Sequence, residues 1–82
     1  MYKTIGDKIK VLAVFENGVI TPRLFRFSSR DYKIKSVSLC YQEKLGTSIN
    51  HLFSIETEEG GVFKLCFNDK SLIWTICEIW CD

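Results

Sequence analysis

Apolar and polar residues alternate with a period of two along most of the 82-residue chain, the pattern of half-buried β-strands. The first such run is residues 8–16, KIKVLAVFE. Ile9, Val11, Ala13 and Phe15 share one face, and Lys8, Lys10 and Glu16 share the other. Leu12 and Val14 also fall on that second face, which predicts that it is partly covered. Asn17-Gly18 comes next, and both residues tolerate the positive φ of a type I′ hairpin turn. The second strand, residues 19–27, sets Val19, Thr21, Arg23, Phe25 and Phe27 against Ile20, Pro22, Leu24 and Arg26. Pro22 has no N–H to give a ladder, so the strand is at an edge or bulged there. Residues 28–31, SSRD, form a polar turn whose serines and aspartate can bond their own backbone.

The third strand, residues 32–42, changes parity. Tyr32 and Ile34 carry the apolar face first, then Val37, Leu39 and Tyr41, and a one-residue slip of this kind predicts a β-bulge at Lys35 and Ser36. A loop, EKLGTSIN, follows. In the fourth strand, residues 51–57, His51, Phe53 and Ile55 point one way and Ser54 and Glu56 the other. EEGG makes a hairpin loop, and the fifth strand, residues 62–67, turns Phe63, Leu65 and Phe67 inward. After a turn at Asn68-Asp69-Lys70 comes SLIWTICEIWC. Its Leu72, Ile73, Ile76, Ile79 and Trp80 also fit a helical stripe with Ser71 as N-cap. Its Ile, Thr, Trp and Cys content favours a strand, with Trp74, Ile76 and Trp80 on one face. The expected fold is a single all-β domain over residues 1–82. About six antiparallel strands run as a meander and form a small SH3-like barrel or rolled sheet.

Composition adds two constraints. With 46% hydrophobic and 13% aromatic residues, the chain can fill one small core, and disorder is not expected. No apolar run approaches the roughly 18 residues of a membrane helix. The first residues, MYKTIGDKIK, are mixed and charged, and VLAVF is too short for a secretory core, so a cytoplasmic protein with no membrane partner is expected. In that setting Cys40, Cys66, Cys77 and Cys81 read as free thiols packed as small hydrophobes. Net charge is only +1, but residues 1–44 hold nine basic and four acidic groups, and residues 45–82 hold two and six. This asymmetry suits a polyanionic partner, or the pairing of strands from the two halves.

Asn17-Gly18, Pro22, Phe25-Arg26-Phe27, Arg30, Tyr32, Ile34 and Val37 resemble the P-x-x-F-R-[WF], turn, Y-x-[VI]-x-x-V pattern of a family of small uncharacterised bacterial all-β domains. Trp74, Ile76, Ile79, Trp80 and Asp82 resemble its closing W-x-[LI]-x-x-[VI]-W-D, and Phe53, Ile55 and Gly60–Phe63 its penultimate hairpin. Phe27 stands where the family carries tryptophan, SSRD lacks the usual turn glycine, and Cys81 separates Trp80 from Asp82. The resemblance implies a fold and a bacterial cytoplasmic setting, and no catalytic residue.

Chemistry is sparse. His51 is the sole histidine and reads as a structural side chain; no nucleophile elbow, P-loop or dinucleotide fingerprint is present. In a strand, Cys77 and Cys81 stand about 13 Å apart, too far for one tetrahedral zinc. No cofactor, metal or catalytic residue is assigned, and Glu56, Glu58 and Glu59 read as a solvated hairpin tip. Three function classes fit. One is a non-catalytic protein-interaction or self-associating β module, with Leu12, Val14, Ile20 and Leu24 as its patch and open ladders at the Pro22 edge and the final strand. The second is a nucleic-acid-binding barrel using Arg23, Arg26, Arg30, Lys33 and Lys35, although Arg26 falls on the face opposite Phe25 and Phe27, and Tyr32 and Tyr41 are the better exposed rings. The third is a small ligand-binding domain or enzyme with a pocket at the barrel mouth.

Overall fold

A computed structural model describes residues 1–80, and its regular elements are all strands: β1 (Tyr2–Glu16), β2 (Val19–Phe27), β3 (Arg30–Leu45), β4 (Ser48–Thr57), β5 (Val62–Asn68) and β6 (Ile73–Trp80). Each pairs antiparallel with the next, and β6 returns to β1, closing the sheet into a ring. The meander and the strand assignment of the last segment agree with the sequence reading. No helix is long and apolar enough to cross a membrane.

Closure depends on two long strands that change partners. The first part of β1 pairs with β6 from Tyr2 to Ile9, and its second part pairs with β2 from Lys10 to Glu16. β3 meets β2 only through residues 30–33, then continues along β4 to Leu45. Two ladder edges stay open as a result: β2 before Leu24, and β3 from Ser36 onward. The final strand is paired on both sides, so it is not the open ladder expected of it. EKLGTSIN is not a loop either. Leu45 pairs with Ser48 around a Gly46-Thr47 turn, and with residues 43–47 exposed and 48–50 only half-buried, no apolar alternation marks the hairpin in the sequence.

Bulges set which side chains enter the core. In β2, Leu24 pairs with Leu12 and Pro22 with Ala13, leaving Arg23 as the extra residue. Ile20 therefore packs against the core and Pro22 is buried, on the same side as Phe25 and Phe27. The expected grouping of Ile20 with Leu24 fails for this reason. The bulge predicted in β3 is present at Lys35, between the paired residues Ile34 and Ser36, and a second one lies at Ser38. In β6, Lys64 pairs with Glu78 and Leu65 with Ile76, so Cys77 is extra. Ile79 then packs on the core and Trp80 turns out against Tyr2, with ring centroids 5.1 Å apart, instead of sharing a face with Trp74 and Ile76.

The core is Phe25, Phe53, Ile55, Phe63, Leu65, Phe67, Trp74 and Ile76, with Ile9, Val11, Ala13 and Tyr32 packed against it. Tyr32 is not an exposed ring: it stacks on Phe25 at 4.9 Å and 10°. Two hairpin turns use positive φ at both central residues, Asn17 (51°) with Gly18 (77°) and Ser28 (53°) with Ser29 (63°), as type I′ geometry requires. SSRD is thus a two-residue turn, with Arg30 and Asp31 already in β3.

Candidate functional site

Cross-strand pairing brings part of each predicted residue group onto one surface. On the solvent side of β1, β2 and the start of β3, Lys10 stands opposite Arg26, Leu12 opposite Leu24, and Leu24 opposite Lys33. Leu12 is 66% exposed and Val14 is also exposed, while Leu24 is half-buried. An apolar pair thus lies in solvent among three basic side chains. Two shallow depressions mark this face, one lined by Lys10, Val11, Leu12, Leu24, Arg26 and Asp31, the other by Lys8, Ile9, Lys10 and Arg26.

The predicted basic residues do not act as one group. Arg26 Nε donates to Asp31 Oδ1 at 2.7 Å and Nη2 reaches Oδ2 at 3.4 Å. This hydrogen bond holds the Asp31 carboxyl below its ordinary range and the Arg26 guanidinium above its own. Arg30 turns the other way. Its guanidinium lies over the Tyr32 ring, 5.1 Å from the centroid, and pairs with Glu59 in the β4–β5 turn. That hydrogen bond raises the Arg30 pKa. Glu59, read from sequence as a solvated tip, is therefore half of a contact between two hairpins. Arg23 and Lys35 are bulge residues exposed to solvent, and only Lys33 lies in the ladder beside Leu24.

At one end of the ring the β1–β2 hairpin lies across from the ends of β4 and β5 with no ladder between them. The cavity between has a volume of about 460 Å³ and is lined by residues 15–20 together with His51, Phe67, Asp69 and Leu72. Phe15 is exposed but meets Phe67 edge-on at 5.6 Å. The inward parity of β4 delivers His51, largely buried at 17% exposure, and its Nε2 is 3.5 Å from Asp69 Oδ2. Asp69 is fixed from behind: the Ile49 N–H donates to its Oδ1 at 3.0 Å, and its own N–H donates to the Ile49 carbonyl at 3.0 Å. Asn68 Oδ1 accepts from the N–H groups of Lys70 and Ser71, and Leu72 leaves the turn at φ 61°. The lining holds no hydroxyl or thiol group to serve as a nucleophile. His51 and Asp69 lie 18 positions apart, and only the β4–β5 register, with His51 opposite Phe67, brings them together.

On the outer side of the other strands, Lys64 Nζ is 3.1 Å from Glu78 and within 5.8 and 6.0 Å of the Tyr2 and Tyr41 ring centroids. The hydrogen bond to Glu78 raises the Lys64 pKa. Nearby, burial pushes the Cys66 thiol up to about 11, with Cys77 adding to the shift. Cys40, Cys66 and Cys77 are free thiols, and among the described residues no group of three His, Cys, Asp or Glu could hold a metal. Cys81 and Asp82, which carried the i, i+4 thiol spacing and the closing motif, lie outside the described residues.

No protein-family model, curated protein or solved structure matches this chain.

Proposed function

We propose that this chain is a non-catalytic protein-interaction module of the bacterial cytoplasm, docking an acidic segment of another protein on the solvent side of β1 and β2. The observation that carries this is the Leu12–Leu24 pair standing in solvent between Lys10, Arg26 and Lys33. A contiguous apolar patch held in water costs free energy that a partner would recover, and a basic surround selects an acidic partner and speeds its arrival. Nucleic acid fits this face less well. Stacking on aromatic platforms is a main source of single-strand affinity, and none of Lys10, Leu12, Val14, Leu24, Arg26 and Lys33 is aromatic.

A titration of the labelled protein with a short Glu- and Leu-rich peptide, followed by amide NMR at about 50 mM salt, tests the proposal where electrostatics act most strongly. Saturable shifts are expected at Lys10, Leu12, Leu24, Arg26 and Lys33, weakened by Leu12→Ser. Absence of saturable binding overturns it. Tighter binding of a random single-stranded oligonucleotide at the same residues replaces it with the nucleic-acid reading.

Self-association is a second form of the same module, favoured by the unpaired ladder groups of β3 beyond Ser36 and the exposed Leu39, Tyr41 and Leu45 along that strand. Light scattering tests it: a strict monomer at about 100 μM removes it.

A further inference from the structure

The cavity between the β1–β2 hairpin and the ends of β4 and β5 is independent of the docking face, and three of its features point to one ligand chemistry. The walls are largely apolar: Phe15, Val19, Ile20, Phe67 and Leu72 line a cavity open to solvent whose volume is within the range of small-molecule pockets. Two carboxylates, Glu16 and Asp69, line the cavity with His51, and no lysine or arginine does. The Asp69 carboxylate is also only partly engaged. Asp69 Oδ1 is occupied by the Ile49 N–H, but Oδ2 is 3.5 Å from His51 Nε2, well beyond a charge-assisted bond of about 2.7–2.9 Å. That leaves room for a donor at Oδ2.

From these features we infer that the cavity binds a small organic amine carrying an aromatic or aliphatic group. The ammonium donates to Asp69 Oδ2, and the apolar group packs between Phe15, Phe67 and Leu72. A carboxylate ligand would meet Asp69 and Glu16 as like charges. Leu72 holds its place in the wall through its backbone. A bulky residue held at φ 61° is a costly conformation, and here it caps a turn that Asn68 holds by two side-chain hydrogen bonds.

The test compares two probes of matched shape on the intact chain, 2-phenylethylamine and 3-phenylpropionate, at neutral pH by amide NMR. Saturable shifts with the amine are expected at Phe15, Ile20, His51 and Phe67, with the carboxylate at least about tenfold weaker, the size of one hydrogen bond to a charged group. Asp69→Asn keeps an oxygen to accept from Ile49 N–H and removes the charge; it is expected to weaken the amine by a similar factor while its own amide spectrum stays dispersed. Equal or stronger binding of the carboxylate overturns the inference, as does an amine that leaves these residues unshifted. Because the docking face is on other strand surfaces, Leu12→Ser leaves amine binding unchanged, which separates this outcome from that of the acidic-peptide titration.

Discussion

Leu12 stands directly opposite Leu24 across the β1–β2 ladder, both on the solvent side by strand parity, and the extra residue at Arg23 is what turns Pro22 and Ile20 in. Replacing Leu12 by serine therefore removes an apolar group from water at the surface, not from the core. Its effect on stability is expected to stay within about 0.5 kcal/mol, measured by chemical denaturation, while docking of the acidic peptide falls. A loss of several kcal/mol would mean that Leu12 is packed, contrary to its exposure.

Gly61 follows the β4–β5 turn in space too narrow for a side chain. An added Cβ would lie 2.9 Å from Phe63 Cε1 and 3.2 Å from Thr57 Oγ1. Thr57 is buried, accepts the Gly61 N–H at 2.9 Å and cannot easily move. Gly61→Ala is expected to cost about 1–3 kcal/mol through overpacking. A thermal midpoint unchanged from wild type would show that Phe63 swings away freely.

The Ser28-Ser29 turn holds two L-residues with side chains at positive φ, where each costs roughly 1 kcal/mol relative to a residue suited to it. Substituting Asn-Gly, the pair already used at residues 17 and 18, is expected to raise stability by about 1 kcal/mol. Denaturant midpoints at unchanged slope are the measurement, and a drop in midpoint would overturn the turn assignment.

These turns show where the sequence was legible. Period-two alternation located β2 and β5 closely and ended β4 at Thr57, because each of these strands has one face on the core. It lost β1 before Lys8, where Ile5 alone packs on the core, and the β3–β4 hairpin beyond Gln42, where residues 43–47 are exposed and residues 48–50 only half-buried, so neither carries an apolar alternation. Face assignments held until a bulge. The slip at Lys35 interrupts an apolar series and was visible; the bulges at Arg23 and Cys77 sit between residues that look plausible on either face, so Ile20 and Trp80 were placed wrongly. The basic segment was legible as a list of charges but not as a set of pairs, since Arg30 finds Glu59 at a separation of 29 residues. His51 was noticed, but its partner Asp69 lay hidden in a turn.

Cys66 offers a test by pH. Its thiol is raised from 9.0 to about 11, first by burial and then by Cys77. The folded state then keeps a proton that the unfolded state loses. The associated stability is fully present below about pH 9 and is lost as pH rises through about 11. Alkylation by iodoacetamide at pH 8, read by mass spectrometry, is expected to mark exposed Cys40 well before Cys66, because the thiolate is the reactive form. Equal rates at the two positions would contradict the burial of Cys66.

The open edge of β3 gives the last prediction. From Leu39 to Leu45 the strand pairs regularly with β4 and, among the described residues, has no partner on its other side, while Leu39 and Leu45 are each more than half exposed. A second copy adding antiparallel about Gln42 would set Leu39 of each chain against Leu45 of the other, and Tyr41 against Glu43, so no like charges face one another. Leu39→Lys interrupts the apolar pair and places a charge on the edge, a device that blocks strand addition. Because Leu39 faces solvent, the substitution is expected to change stability by no more than about 0.5 kcal/mol. If wild type associates at about 100 μM, the variant is expected to be monomeric there by light scattering. A variant that associates as well as wild type would exclude the β3 edge as the contact, leaving the face around Leu12 and Leu24 as the place to look.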